Sequence, residues 1–150
     1  SDAATVIESS SDYGVNYTGI ENLRIGAAAG ENNAAANSID LTNLYAVYTY
    51  GEFSIGYQTS ESDSEAANAD LDFTALGISY AASEELSVSL NQSEIQYENA
   101  TLTDQEAIGI SVSYVMGSMT LSANHNSVDN IAGTDGDDRN GYELGLSFAF

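Results

Sequence analysis

The segment Tyr142-Glu143-Leu144-Gly145-Leu146-Ser147-Phe148-Ala149-Phe150 decides the fold: every even position is bulky and apolar, and every odd one is small or polar. Strict period two marks a β-strand whose two faces meet different surroundings. The pattern recurs upstream. Ile108, Ile110, Val112, Tyr114 and Met116 alternate with Gly109, Ser111 and Ser113, and Leu86, Val88 and Leu90 alternate with Ser87, Ser89 and Asn91. Phe53, Ile55 and Tyr57 alternate with Ser54, Gly56 and Gln58, and Leu23, Ile25 and Ala27 with Arg24, Gly26 and Ala28. These windows repeat every second residue and do not follow the i, i+3, i+4, i+7 rhythm of a helical face. The pattern predicts strands over 12–18, 23–30, 40–50, 53–60, 71–81, 86–97, 106–116, 119–128 and 140–150. In 41–50 both parities carry apolar residues. In 86–97 the apolar phase shifts between Leu90 and the pair Ile95 and Tyr97, which points to a β-bulge.

Composition narrows the function. The chain has 150 residues, room for one domain, and 23 acids against two basic residues, for a net charge of −21. Nothing here neutralises a phosphate backbone, so nucleic acid is excluded as a partner. With no cysteine there is neither a disulfide framework nor a thiolate metal site, and a single histidine, His125, excludes a His-rich zinc site. No apolar run is long enough for a membrane-spanning helix. The opening SDAATVIESSSD has neither a basic region nor an apolar core, so no signal peptide is expected in this sequence. What remains is an acidic binding or structural protein, or a membrane β-barrel.

The connections separate these. Residues 19–22, 51–52, 82–85 and 117–118 read as tight turns, while 31–39, 61–70, 98–104 and 129–139 read as long acidic loops. Short and long alternate strictly, as in an antiparallel up-and-down transmembrane barrel with short turns on the periplasmic side and long loops outside. The aromatics agree. Tyr17, Tyr48, Tyr50, Phe53, Tyr80, Tyr114, Phe148 and Phe150 sit near short turns or the C-terminus; Tyr13, Tyr57, Phe73, Tyr97 and Tyr142 sit toward the long loops. Only Tyr45 is near mid-strand. Two such rings are expected as interfacial girdles.

The terminal Gly141-Tyr142-Glu143-Leu144-Gly145-Leu146-Ser147-Phe148-Ala149-Phe150 resembles the last strand of Gram-negative outer-membrane proteins. The stretches Asn16-Tyr17-Thr18-Gly19-Ile20-Glu21-Asn22-Leu23 and Tyr48-Thr49-Tyr50-Gly51-Glu52-Phe53-Ser54-Ile55-Gly56-Tyr57 resemble hairpins of the alphaproteobacterial trimeric general-diffusion porins. The resemblance covers the chain from about Asp12. It implies a bacterial outer-membrane location, contact with outer-membrane lipid, a homotrimer, and an assembly signal at Tyr142, Phe148 and Phe150 that the barrel-assembly machinery reads. Porins of that family have sixteen strands in roughly twice this length, so the chain is similar to their C-terminal half. On that reading residues 1–11 are the remnant of an extracellular loop, residues 12–150 are barrel strands, and the remaining strands come from another segment or a second chain. The family's constriction loop and most of its arginine cluster belong to the other half.

Parity then assigns the chemistry. Arg24, Gln58, Ser89, Asn91, Ser111, Ser113, Ser122, Asn124, Asn126 and Glu143 line the pore, since a water-filled lumen solvates groups that lipid does not. Arg24 is expected to pair with an acid on a neighbouring strand, with binding of an anionic solute as the alternative. Glu61, Asp63, Glu65, Asp70, Asp129, Asp135, Asp137 and Asp138 form an extracellular acidic rim that biases the channel toward cations. No cofactor is implied. Calcium is the one candidate ligand, at Asp135, Asp137 and Asp138 or at the 61–72 acids, although the EF-hand spacing is absent and the plainer reading is a solvated loop. His125 has no triad partner at a diagnostic spacing, and no pair of carboxylates stands out, so no enzyme is read here. Two further readings stay open: an extracellular acidic calcium-binding β-sandwich adhesin or surface-layer protein, and a complete eight-stranded barrel with a detached first segment.

Overall fold

The computed structural model describes residues 7–34 and 37–149. It contains nine antiparallel strands: β1 (Ile7–Ile20), β2 (Leu23–Ala34), β3 (Ile39–Tyr50), β4 (Phe53–Ser64), β5 (Leu71–Ala81), β6 (Leu86–Tyr97), β7 (Gln105–Met116), β8 (Met119–Asp129) and β9 (Arg139–Phe148), with one 3-10 turn at Ile131–Gly133. They form a single sheet in sequence order, β1 to β9. Each strand pairs with its sequence neighbour, and among the described residues β1 and β9 have no second partner. This is the meander of an up-and-down barrel wall with two open edges.

The sheet has no core of its own. Among the described residues no hydrophobic side chain is buried, and no second layer covers the apolar face, as a sandwich would require. Through the middle of the strands most large apolar side chains face outward in continuous cross-strand rows. One row runs Tyr48–Ile55–Ile78–Leu90–Ile110–His125–Tyr142 through directly opposed residues of seven strands. Its exposure rises from 45% at Ile110, flanked by strands on both sides, to 82% at Tyr142 on the open edge strand.

Several expectations need correction. The strands outrun the alternating pattern, because the Ser, Asn and acidic residues at their outer ends carry no hydrophobic alternation while the backbone ladder continues through them. β1 begins at Ile7, so residues 7–11 are paired strand and not a loop remnant; residues 1–6 lie outside the described residues. The connection expected at 31–39 shrinks to 35–38, and that at 61–70 to 65–70. Ladder register is unbroken along β6 with both neighbours, so 86–97 holds no bulge. The irregular registers are in β1, between Ile7 and Ser9 and between Tyr17 and Ile20. Nor is the first segment detached: β1 pairs with β2 almost end to end, and an eight-stranded closure of β2 on β9 does not form.

Two tight turns show why glycine stands where it does. Gly51 and Gly117 each open a two-residue turn with φ of 57° and 60°, the left-handed region that glycine enters without a steric penalty.

Candidate functional site

Register, not sequence spacing, defines the wall. All ten residues expected to line the pore fall on one face. Thr49, Ser54, Ser79, Ser89, Ser111, Asn124 and Glu143 stand directly opposite one another across β3 to β9, making an unbroken polar row. Neighbours in the row satisfy each other: the Thr49 and Ser54 hydroxyls are 3.0 Å apart, and those of Ser89 and Ser111 are 2.5 Å apart. The row beside it contains Arg24, Val47, Gly56, Gly77, Asn91, Gly109, Asn126 and Gly141. Its glycines keep the wall low where large amides flank them. A Cβ on Gly109 would collide with Asn91 and crowd Asn126 Oδ1 at 2.6 Å. Hollows touched by up to six successive strands lie on this face, so the sheet curls around it.

Arg24 departs from the expected ion pair. Val47 stands opposite it, and the single ion pair among the described residues is Arg139 Nε with Asp137 Oδ1 at 3.9 Å, on the exposed rim. Arg24 instead lies over the Tyr45 ring, 5.8 Å from its centroid, a cation–π arrangement. Tyr45 in turn donates its hydroxyl to Asn16 Oδ1 at 2.5 Å. Tyr45 and Asn16 are wall residues that the sequence left unassigned, Tyr45 because both parities of 41–50 carry apolar side chains. The signal that finds Tyr45 is Gly26 directly opposite, where a Cβ would overlap the tyrosine ring.

The rim residues divide. Glu61 and Asp63 belong to β4, not to a loop, and share the outward parity of the apolar rows. Glu65 and Asp70 sit in the β4–β5 connection. Glu65 Oε2 accepts from the Ser38 backbone N–H at 3.0 Å, and Asp70 Oδ1 from that of Ser64 at 2.7 Å. Asp129 ends β8 directly opposite Glu106. Asp135, Asp137 and Asp138 lie in the β8–β9 connection, where Asp138 Oδ1 accepts from the Asn130 N–H at 3.0 Å. That connection is pinned to the one between β6 and β7: the Ala132 N–H donates to Gln105 Oε1 at 2.9 Å, and Asn130 Nδ2 donates to the Asp104 carbonyl at 3.1 Å. Among the described residues no three acids converge as a metal cage.

The aromatic rings also differ between the ends. Tyr17, Tyr48, Tyr50, Phe53, Tyr80, Tyr114 and Phe148 all point outward near the short turns, and Phe53 stacks on Tyr80 with centroids 4.4 Å apart. At the other end Tyr13 and Tyr142 point outward, but the unbroken register turns Phe73 and Tyr97 to the inner face, so the second girdle is incomplete. Of the expected assembly signal, Tyr142 and Phe148 lie outward on β9, while Phe150 is outside the described residues. His125 also faces outward, stacked on Tyr142 with centroids 4.2 Å apart. Its Nδ1 lies 3.2 Å from the Gly141 carbonyl, to which an Nδ1–H donates.

A two-faced meander of this kind is matched in sequence as well as shape. The family model described as Gram-negative porin matches residues 2–150. The chain belongs to that family. Its place is the bacterial outer membrane. The anion-selective porin from Comamonas acidovorans superposes with a TM-score of 0.79 at 16% identity, over 91% of this chain and 48% of that one. A triple mutant of Rh. blastica porin gives a TM-score of 0.70 at 16% identity, over 96% and 47%. The trimer form of OmpT, an outer-membrane protein of Vibrio cholerae, gives 0.71 at 14% identity, over 91% and 54%. These likenesses establish the outer-membrane β-barrel fold. The porin chain spans about half the length of each solved structure. No curated protein sequence matches it.

Proposed function

We propose that this porin chain forms part of the wall of a passive channel admitting small hydrophilic solutes and ions, with a preference for cations. The observation that carries the reading is the polar row from Thr49 to Glu143, set back to back with the apolar row from Tyr48 to Tyr142. Lipid accepts the second row and water the first, so a solute path runs along the inner face without catalysis or energy coupling. The adhesin reading fares worse, since it requires a cover for the outward apolar side chains. Barrel closure calls on further strands, from another segment or a second chain, to pair with the edges of β1 and β9. Surrounding lipid, delivery by the barrel-assembly machinery and a homotrimer belong to the same proposal; the Vibrio cholerae relative is described in a trimer form.

Charge supports the cation preference. The net charge is −21, and Asp135, Asp137 and Asp138 crowd one connection at the mouth. A negative mouth concentrates cations and repels anions. The Comamonas porin is anion-selective, but at 16% identity its fold carries over and its charges do not. The test is the reversal potential of the membrane-assembled channel in a low-salt KCl gradient. A potential of cation-selective sign is expected, and an anion-selective sign overturns the preference.

A further inference from the structure

At the end of the sheet away from the tight turns, the two faces exchange character. Outward positions carry like charges directly opposed: Glu31, Asp40 and Asp63 in one row, Glu94, Glu106 and Asp129 in another. Inward positions there carry Leu41, Leu71, Phe73 and Ile95, whereas the inner row from Thr49 to Glu143 carries hydroxyls, an amide and a carboxylate. Apolar side chains on a wall exposed to water keep part of their surface hydrated. They gain by being covered.

The place is also hollow. A cavity of about 660 Å³ spans β1 to β6, within the range of small-molecule sites. Gly14, Ala28 and Gly30 form its low floor. Leu41 rises beside them, and Leu71, Phe73 and Ile95 close the far side. One inner row holds, in order, Asp12, Gly30, Leu41, Ser62 and Leu71. Asp12 therefore stands at one end and the apolar wall at the other. A Cβ on Gly30 would collide with Asp12 Oδ1, so glycine there lets the carboxylate lie across β2 into the hollow. Among the described residues no base lines the cavity.

We infer that this hollow is a binding subsite for elongated amphipathic cations, with an amine on the Asp12 carboxylate and an apolar body laid over Leu41 toward Leu71 and Phe73. The inference rests on the channel reading and names a solute class for it. Four strand spacings separate Asp12 from Leu71, roughly 19 Å along the wall, so the site rewards length as well as charge. A compact cation reaches the carboxylate alone. A neutral chain reaches the apolar wall alone.

The test is block of single-channel current in the membrane-assembled porin at about 1 M KCl, where screening confines the rim's field to roughly 3 Å. Butyl-, hexyl- and octylammonium are added from the long-connection side, with octanol as the uncharged comparison. The blocking constant should fall by about fifteenfold for each two methylenes added, since a buried methylene is worth about fourfold. Octanol should not block. Asp12→Asn and Phe73→Ser should each weaken octylammonium block at least fivefold. Asp63→Asn removes the same charge on the outward face and should leave block unchanged. Block that is independent of chain length, or equal in Asp12→Asn and Asp63→Asn, overturns the subsite while KCl conductance still upholds the channel. The same result follows if another segment of the assembled barrel fills the hollow. A complete lack of KCl conductance overturns the channel reading, and the subsite with it.

Discussion

Tyr45 on β3 reaches across the full width of β2 to Asn16 on β1, its hydroxyl donating to Asn16 Oδ1 over 2.5 Å. The strand it crosses presents Gly26 at that point, and the Arg24 guanidinium lies over the same ring. Three strands are thus tied by one inward side chain, and the tie positions one of only two bases in the chain.

Gly26→Val should break this arrangement, because its Cβ falls inside the Tyr45 ring. Overpacking of this kind costs about 1–3 kcal/mol. Adding Tyr45→Ser to Gly26→Val should recover most of the loss, giving a coupling energy well above the scatter of independent sites. Urea unfolding of the vesicle-embedded protein reads both. Additive effects would show that the ring does not occupy that space.

The two faces should respond oppositely to charge. Ile110 is midway along β7 and points outward; its neighbour Ser111 points inward beside Ser89. Ile110→Arg should cost about 2–4 kcal/mol, as a charge set against lipid does. Ser111→Arg should cost about 1 kcal/mol, the loss of one hydrogen bond. Equal penalties in the same unfolding assay would contradict the facing.

How legible the protein was in its sequence depends on where one looks. Strand number, order and facing followed from alternation in segments such as 108–116 and 142–148, because two faces with different surroundings call for opposite polarity at successive residues. At the long-connection ends that contrast disappears. Ile95 and Tyr97 looked like a slipped phase, but β6 keeps its register and the faces themselves exchange polarity. Tyr45 stood out as the one aromatic near mid-strand, but its partners were hidden. Its role depends on Gly26, nineteen residues away, and only the pairing of β2 with β3 brings them together. Ion pairing of Arg24 failed as an expectation because a surplus of acids in composition places none of them opposite it.

The 150 residues alone should not conduct. With nine alternating strands, β1 and β9 run in the same direction and cannot join as an antiparallel pair. Each open edge leaves backbone donors and acceptors that cost several kcal/mol apiece in hydrocarbon. Vesicles holding only the isolated 150-residue chain should show no ohmic channels, and steady conductance from that preparation would contradict the open-edged topology.

The mouth should act at a distance that salt controls. Asp135→Asn, Asp137→Asn and Asp138→Asn together keep the side-chain shapes, including the acceptor that Asn130 uses, and remove three charges. Cation bias should fall at low salt and hardly change near 1 M, where the screening length shrinks to about 3 Å. A loss of bias that persists at high salt would place these acids in the narrow part of the path, not at its rim.

The central claim is that one face of this sheet is wet and the other greasy through the middle of each strand, between the tight turns and the charged outer ends. The chain contains no cysteine, so single cysteines can be placed one at a time from Leu121 to Asn126 on β8 and treated with a charged, membrane-impermeant thiol reagent. In the membrane-assembled porin, Ser122→Cys, Asn124→Cys and Asn126→Cys should react and reduce single-channel current, while Leu121→Cys, Ala123→Cys and His125→Cys stay unmodified. Uniform labelling, or labelling of the odd positions in place of the even ones, would contradict the account.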